Sequence, residues 1–144
     1  MLYTELTKKA LNLCFEAHKE QIDKSGVPYV FHPYHLAEQM EDEKSVCAAL
    51  LHDVAEDTDY TFDDMLAMGF SPETVDALRL LTHSKEVPYM DYIENIKSNP
   101  IAKAVKLADL KHNSDLSRFA GCSITVYDLK QNEKYQKAIE LLSE

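Results

Sequence analysis

Four ionisable residues follow directly on the most apolar stretch of the chain. Residues 48–51 read AALL, His52 and Asp53 come next, and Glu56 and Asp57 follow one helical turn later. On a helix, residues three or four apart share a face, so this spacing brings neighbouring pairs together. A carboxylate removed from water needs a compensating partner, and a bound cation is one that could serve all of these acids. The alternative interpretation is an ordinary solvated helix end.

A second acidic residue interrupts an apolar segment later in the chain. Asp109 lies in KLADL at positions 106–110, and Asn113 follows one turn later on the same helical face. An aspartate in a core-facing segment needs a partner, although a lone one is more often a cap or a surface acid. Nearby basic residues are interpreted as a solvated face rather than a phosphate-attracting cluster: Lys103, Lys106, Lys111 and Arg118.

Amphipathic patterns predict the helices that carry these residues. Apolar side chains recur at steps of three and four from Thr4 to about Ile22, which indicates a helix facing a core. Pro33 suits a first helical position, so His32 is predicted as the N-cap of a helix that runs to about Met40. The stretch 45–56 is apolar nearly all round and is predicted to be one helix at the centre of the domain.

Start signals predict five more helices and therefore an all-α fold. Thr61 with Asp64 and Thr125 with Asp128 have capping-box spacing, and Ser71 precedes a proline. The predicted helices are one after Thr61 that is ended by Gly69, Ser71 to Leu81, Tyr89 to Lys97, Ile101 to His112, and Thr125 to the C-terminus. With only three glycines and five prolines, the chain is expected to form a single domain over residues 1–144.

Composition excludes several classes of function. The chain has 15 Lys and Arg against 25 Asp and Glu, a net charge of −10, which disfavours nucleic-acid binding through a broad basic face. No run approaches the ~20 apolar residues of a membrane span, and the N-terminus is no signal peptide, so a soluble cytoplasmic protein is expected. Three cysteines outside any CxxC pair are each expected to be buried and reduced: Cys14, Cys47 and Cys122.

Three motifs occur in a fixed order along the chain. Residues 25–33 read SGVPYVFHP, residues 50–58 read LLHDVAEDT, and residues 106–113 read KLADLKHN. Together with Ala17-His18 they span positions 17 to 113. In this order the motifs resemble the HD-domain metal-dependent phosphohydrolases, and within them the RelA/SpoT-type (p)ppGpp hydrolases, including small stand-alone forms.

The resemblance implies a fold, a reaction and a metal. It implies a single-domain, HD-type helical bundle that removes the 3′-pyrophosphate of (p)ppGpp to give GDP or GTP and pyrophosphate. Mn²⁺ is the usual ion of the family, and two imidazoles with two carboxylates suit such a borderline divalent cation. The implied metal ligands are His32, His52, Asp53 and Asp109.

The same resemblance implies roles around the metal. Glu56 and Asp57 match an acidic pair that orients or deprotonates the attacking water. Lys24 and Ser25 match part of the segment that contacts the nucleotide, and Asn113 matches a residue near its ribose and phosphates. A nucleotide is therefore the expected partner, whereas the oligomeric state stays open.

Two departures from the family pattern keep other functions open. Asp23 stands where the family often has an arginine that packs on the guanine, and Leu110 stands where a basic residue is usual. One alternative is therefore an HD phosphohydrolase that acts on another nucleotide or phosphoester. Another is a non-catalytic domain that senses a nucleotide or metal, against which the intact Glu56-Asp57 pair argues.

Other histidines and tyrosines are weaker candidates. His35 comes three residues after His32, and spacing alone does not separate them as ligands, so only the resemblance favours His32. His18 and His112 match family positions that are not ligands. The segment 82–99 matches the alarmone hydrolases poorly, and Tyr89 and Tyr92 within it are expected in core or surface roles rather than as pocket lining.

Overall fold

The protein is a helical bundle. The computed structural model describes residues 1–144 and contains nine α-helices, one 3-10 helix and no β-strand, which confirms the all-α class. The helices are α1 (Glu5–His18), α2 (Phe31–Glu38), α3 (Glu43–Leu51), α4 (Val54–Asp57), α5 (Phe62–Ala67), α6 (Pro72–Leu81), α7 (Tyr89–Ile96), α8 (Pro100–Asn113) and α9 (Val126–Leu142), with the 3-10 helix Leu116–Phe119 before α9.

Helix α3 lies at the centre of the bundle. Every residue from Ser45 to Leu51 is buried, and α3 contacts α1, α2, α6 and α8. An apolar helix without a solvent-facing stripe must be surrounded by other helices, as the sequence predicts. The end of α3 therefore delivers His52 into the interior, where α2 and α8 also pass.

The central segment is not one helix, which corrects the prediction for residues 45–56. Helix α3 ends at Leu51, Asp53 has φ −108° and ψ 0°, and α4 begins at Val54. On a continuous helix, adjacent side chains point about 100° apart. The turn at residues 52 and 53 instead brings His52 Nε2 within 3.2 Å of Asp53 Oδ2. The prediction of one continuous helix was therefore wrong, although His52, Asp53 and Glu56 still line one cavity, as the face-sharing argument predicts.

Helix α2 begins earlier than predicted. Val30 is its N-cap, so His32 lies in the first turn rather than at the cap, and the helix ends at Glu38. The amide of His32 donates to the Tyr29 carbonyl, which continues the turn from the preceding loop. Pro33 fits this position because amides of a first helical turn have no intrahelical partner to lose.

A tight loop joins α1 to α2, and α1 ends at His18 rather than near Ile22. The Asp23 amide donates to the Val27 carbonyl over 2.8 Å, and the Asp23 carboxylate accepts from the amides of Ser25 and Val27. Gly26 has φ +85°, a left-handed conformation that glycine adopts without a Cβ clash. The loop is thus organised around the Asp23 side chain.

Local start signals are confirmed. Thr61 and Thr125 form capping boxes with Asp64 and Asp128, and Ser71 caps α6.

Cys14 and Cys47 are buried as expected, but Cys122 is exposed, so its predicted burial was wrong. None of the helices combines the length and the apolarity needed to cross a bilayer.

Candidate active site

Two imidazoles and one carboxylate meet between α2, the end of α3 and α8. His32, His52 and Asp109 are all buried, and each offers a ligand atom within 4.8 Å of the others. The Nε2 atom of His32 lies 2.8 Å from Asp109 Oδ1, and the Nε2 atom of His52 lies 3.7 Å from the same oxygen. This group, called the His-His-Asp group below, could hold a metal ion.

The ring of His52 is oriented for ligation. Its Nδ1 atom lies 2.7 Å from the Ala49 carbonyl oxygen, which only accepts, so Nδ1 carries the proton. The lone pair of the neutral ring is then on Nε2, which is buried and has no hydrogen-bond partner. Buried polar atoms are nearly always paired, so an orphaned imidazole nitrogen beside two carboxylates fits a missing cation.

His32 is held by a second imidazole behind it. Its Nδ1 atom lies 2.6 Å from Nδ1 of His112, and the two rings are stacked. Burial, followed by the charge of Arg118, lowers the pKa of His112 to about 4, so that ring stays neutral and can accept a hydrogen bond. His35 is exposed and its ring lies tilted against His112, and it does not belong to the His-His-Asp group. The geometry thus separates His32 from His35.

Asp53 lies against this group. Besides its approach to His52, its carboxylate accepts a hydrogen bond from the Tyr29 hydroxyl. Burial, and then the nearby charge of Asp109 and other carboxylates, raises the pKa of Asp53 to about 8, although 27% of the side chain stays exposed. A bound cation would stabilise the ionised form of Asp53, so this raised pKa fits a cation-binding site.

Asp109 has polar neighbours at both of its carboxylate oxygens. Its Oδ2 atom lies 2.9 Å from Lys106 Nζ, and its Oδ1 atom accepts from the Asn113 amide over 3.0 Å. Burial alone would raise the pKa of Asp109, but Lys106 and the histidines bring it well below its ordinary value. Only 14% of the Lys106 side chain is exposed, so its interpretation as part of a solvated face was wrong.

Glu56 and Asp57 point to different places. A cavity of about 210 Å³, called the site cavity below, is lined by His52, Asp53, Glu56 and Asp109 among others. Glu56 is exposed at its rim, and its carboxylate accepts from the His83 amide over 3.2 Å. Asp57 does not line the site cavity; its Oδ2 atom lies 3.7 Å from Nδ1 of buried His18.

The residues expected to contact a nucleotide line a neighbouring cavity. Lys24, Ser25 and Asn113 border a space of about 310 Å³, called the side cavity below. Asn113 borders the site cavity as well, so the two cavities are adjacent. Asp23 and Arg118 also line the side cavity, and they form an ion pair of 2.9 Å. Leu110, the other departure from the family pattern, is fully buried in the core.

Sequence reasoning missed several residues of the site cavity. Tyr89 lines it although it was expected in a core or surface role, and Tyr92, which lies in the core as expected, lines it as well. Lys134 reaches it from α9, a helix without any of the motifs. The signal for Lys106 was available, because it lies one helical turn before Asp109 and shares its face.

A solved structure has the same architecture. The structure of a metazoan orthologue of SpoT that hydrolyses ppGpp superposes with a TM-score of 0.78 at 28% identity. The superposition covers 99% of this chain and 88% of the other. No family model matches the chain.

This helical bundle with its central His-His-Asp group defines a metal-dependent hydrolase of the HD type. Mouse guanosine-3′,5′-bis(diphosphate) 3′-pyrophosphohydrolase MESH1 is 33% identical over 137 residues, which cover 84% of this chain and 74% of the relative. The human MESH1 is also 33% identical, over 76% of this chain and 69% of its own. The chain belongs to the (p)ppGpp 3′-pyrophosphohydrolase family that includes MESH1 and SpoT. It spans only 17% of Escherichia coli SpoT, at 31% identity.

Proposed function

We propose that this protein is a (p)ppGpp 3′-pyrophosphohydrolase that uses a divalent metal ion. The observation that carries the proposal is the His-His-Asp group, in which the buried Nε2 atom of His52 has no hydrogen-bond partner. His52 lines the site cavity, and the adjacent side cavity is large enough for a nucleoside. The reaction consumes one water, whose oxygen bonds to the phosphorus attached to ribose O3′. The P–O3′ bond breaks, ribose O3′ gains a proton, and GDP or GTP leaves with pyrophosphate.

We assign metal binding to residues on three segments. The proposed ligands are His32, His52, Asp53 and Asp109. Two imidazole nitrogens with two carboxylates suit Mn²⁺ among the common divalent ions, and the short approach of Asp53 to His52 supports its inclusion. When bound, the ion supplies an activated water and neutralises charge on the phosphoryl oxygens.

Glu56 is proposed as the general base. Its carboxylate lies at the rim of the site cavity, and the backbone amide of His83 holds one of its oxygens. From this position a carboxylate can take a proton from the attacking water. A role of Asp57 in orienting water stays a prediction, because its carboxylate faces His18.

The nucleoside is proposed to occupy the side cavity. Lys24 supplies a cation there, with Nζ 4.9 Å from the centre of the Tyr127 ring, and Ser25 supplies a hydroxyl. Asn113 borders both cavities, which suits a contact where the ribose meets its 3′-phosphate. This placement directs the 3′-diphosphate towards the His-His-Asp group.

A second candidate is the hydrolysis of a different nucleotide. Asp23 stands where the family often has an arginine that packs on guanine. In this protein an ion pair of Asp23 and Arg118 lines the side cavity at that place. A nucleotide with another base would meet that ion pair. A non-catalytic sensor is less well supported, because Glu56 lies within the site cavity.

A substrate panel tests these functions. We expect the Mn²⁺-loaded protein to release pyrophosphate from ppGpp and pppGpp, and not from nucleotides with other bases. Chelation of the metal should abolish the release. Asp109→Asn, which keeps the shape of the side chain, serves as the inactive control. Turnover of other nucleotides in preference to ppGpp would favour the second candidate, and tight binding without any turnover would favour the sensor.

A further inference from the structure

One wall of the site cavity carries positive charge in a chain whose net charge is −10. Lys106 and Lys134 both line it, from α8 and α9. Lys106 is paired with Asp109, but Lys134 forms no salt bridge. Its Nζ atom lies 4.1 Å from the centre of the Tyr89 ring. A half-buried lysine without an acidic partner leaves a cation facing the cavity.

The Tyr89 hydroxyl is also without a partner. It is buried and makes no hydrogen bond within the protein. An unsatisfied buried hydroxyl is costly, and an oxygen of a bound anion would satisfy it. Burial raises the pKa of Tyr89, which keeps the phenol protonated as a donor. Burial, with Lys106 and Lys24 next, lowers the pKa of Lys134.

We propose that Lys134 and Tyr89 form a subsite for the diphosphate group of the substrate. The inference rests on the proposed function and adds the site that holds the outer phosphate. With the nucleoside in the side cavity and the inner phosphate at the His-His-Asp group, the outer phosphate reaches the wall that carries Lys134. The ammonium group and the phenol hydroxyl then donate to its oxygens, which are strong acceptors.

The subsite would distinguish a diphosphate from a single phosphate. An inner phosphate alone reaches the His-His-Asp group but not Lys134, so its binding does not use the cation. A diphosphate uses both. Hydrogen bonds to charged groups strengthen binding by about 10- to 100-fold, and this preference is the property to be measured.

The experiment is calorimetric titration of the Mn²⁺-loaded protein with pyrophosphate and, separately, with orthophosphate, at matched free Mn²⁺. Lys134→Met should weaken pyrophosphate binding about 10- to 100-fold and change orthophosphate binding less than about twofold. Tyr89→Phe should weaken pyrophosphate binding about fivefold. Lys137→Met, which removes an exposed lysine from the same helix, should bind both anions as the wild type does. Lys134→Arg should recover part of the lost affinity.

Two results would overturn the subsite. One is unchanged pyrophosphate binding by Lys134→Met, and the other is an equal loss for both anions, which would mean that Lys134 acts through the metal group. Neither titration contains a nucleotide, so the test is independent of the base. If pyrophosphate binding depends on Lys134 but ppGpp is not hydrolysed, the subsite stands and the proposed substrate falls.

Discussion

The Nδ1 atoms of His32 and His112 face each other at 2.6 Å, so one ring donates a hydrogen bond to the other. Nε2 of His32 points to Asp109 and is free to bind a metal only when Nδ1 carries the proton. Neutral His112 must then accept on its own Nδ1. His112 is therefore a positioning residue: by accepting a hydrogen bond from Nδ1 of His32, it favours the tautomer whose Nε2 can bind a metal.

His112→Phe is expected to weaken Mn²⁺ binding by about 10- to 100-fold, the usual effect of losing a hydrogen bond behind a metal-binding histidine. The phenyl ring keeps most of the packing but accepts no proton. Calorimetric titration with Mn²⁺ measures the change. His35→Phe alters an exposed ring on the outer face of His112 and should leave Mn²⁺ affinity intact. Wild-type affinity in His112→Phe would refute this role.

Glu56→Gln is expected to keep Mn²⁺ affinity and to reduce kcat by about 10²- to 10⁴-fold, the range for loss of a general base. The amide can still accept from the His83 amide, so the loop should hold its position. Single-turnover kinetics with ppGpp measure the chemical step. Asp59→Asn removes an exposed charge nearby and is the matched control. If kcat is retained and KM rises instead, Glu56 binds substrate and is not the base.

The ion pair between Asp23 and Arg118 should stabilise the fold in a pH-dependent way. Burial would raise the pKa of Asp23, but the hydrogen bonds of Ser25 and Val27 and the charge of Arg118 lower it below its ordinary value. A carboxyl with a lowered folded-state pKa adds stability above its unfolded pKa, about 3.9, and loses it as the pH falls through the folded value.

A double-mutant cycle of Asp23→Asn and Arg118→Gln measures this pair. At pH 7 we expect a coupling of about 1 kcal/mol in the free energy of unfolding, because the two side chains are only 13% and 21% exposed. Urea unfolding at pH 3 should give a smaller coupling than at pH 7. A coupling that is the same at both pH values would mean that packing, and not charge, joins the two residues.

The parts of the fold that depend on neighbours in sequence could be predicted. The caps at Thr61, Ser71 and Thr125 need only a side chain and an amide three residues away, so their pattern is visible in the sequence. The break after Leu51 was missed because the apolar pattern continues across it at Val54 and Ala55. The Tyr29 hydroxyl reaches Asp53 from another loop, and no periodicity records that contact.

The site divides in the same way. His52 and Asp53 could be proposed from chemistry, because acids after a buried helix need a partner, while His32 was chosen over His35 only by resemblance. Lys134 could not be predicted, since it reaches the cavity only because α9 packs against α7 and α8. In the sequence, a lysine on an amphipathic helix cannot be distinguished from a solvent-exposed lysine, because the helices that pack against it are not known.

Asp53 makes the metal-free protein less stable at neutral pH. Its pKa is raised to about 8 in the folded protein, chiefly by burial and then by Asp109, against about 3.9 in the unfolded chain. The unfolded state therefore loses this proton first as the pH rises. The contribution of Asp53 to stability falls between about pH 4 and about pH 8, because the folded state binds the proton more tightly.

Asp53→Asn should consequently stabilise the metal-free protein while it removes metal binding. In chelator at pH 7.5 we expect the variant to exceed the wild type by about 2 kcal/mol in the free energy of unfolding, with little difference at pH 4. With Mn²⁺ at about 100 times its Kd, the wild type gains about 2.7 kcal/mol and the variant gains almost none. Urea unfolding under these three conditions tests the prediction. If the buried charge of Asp53 is costly without a cation, removing that charge must stabilise the metal-free protein. A variant less stable than the metal-free wild type at pH 7.5 would therefore show that the Asp53 carboxylate stabilises the fold by itself and is not there for a metal.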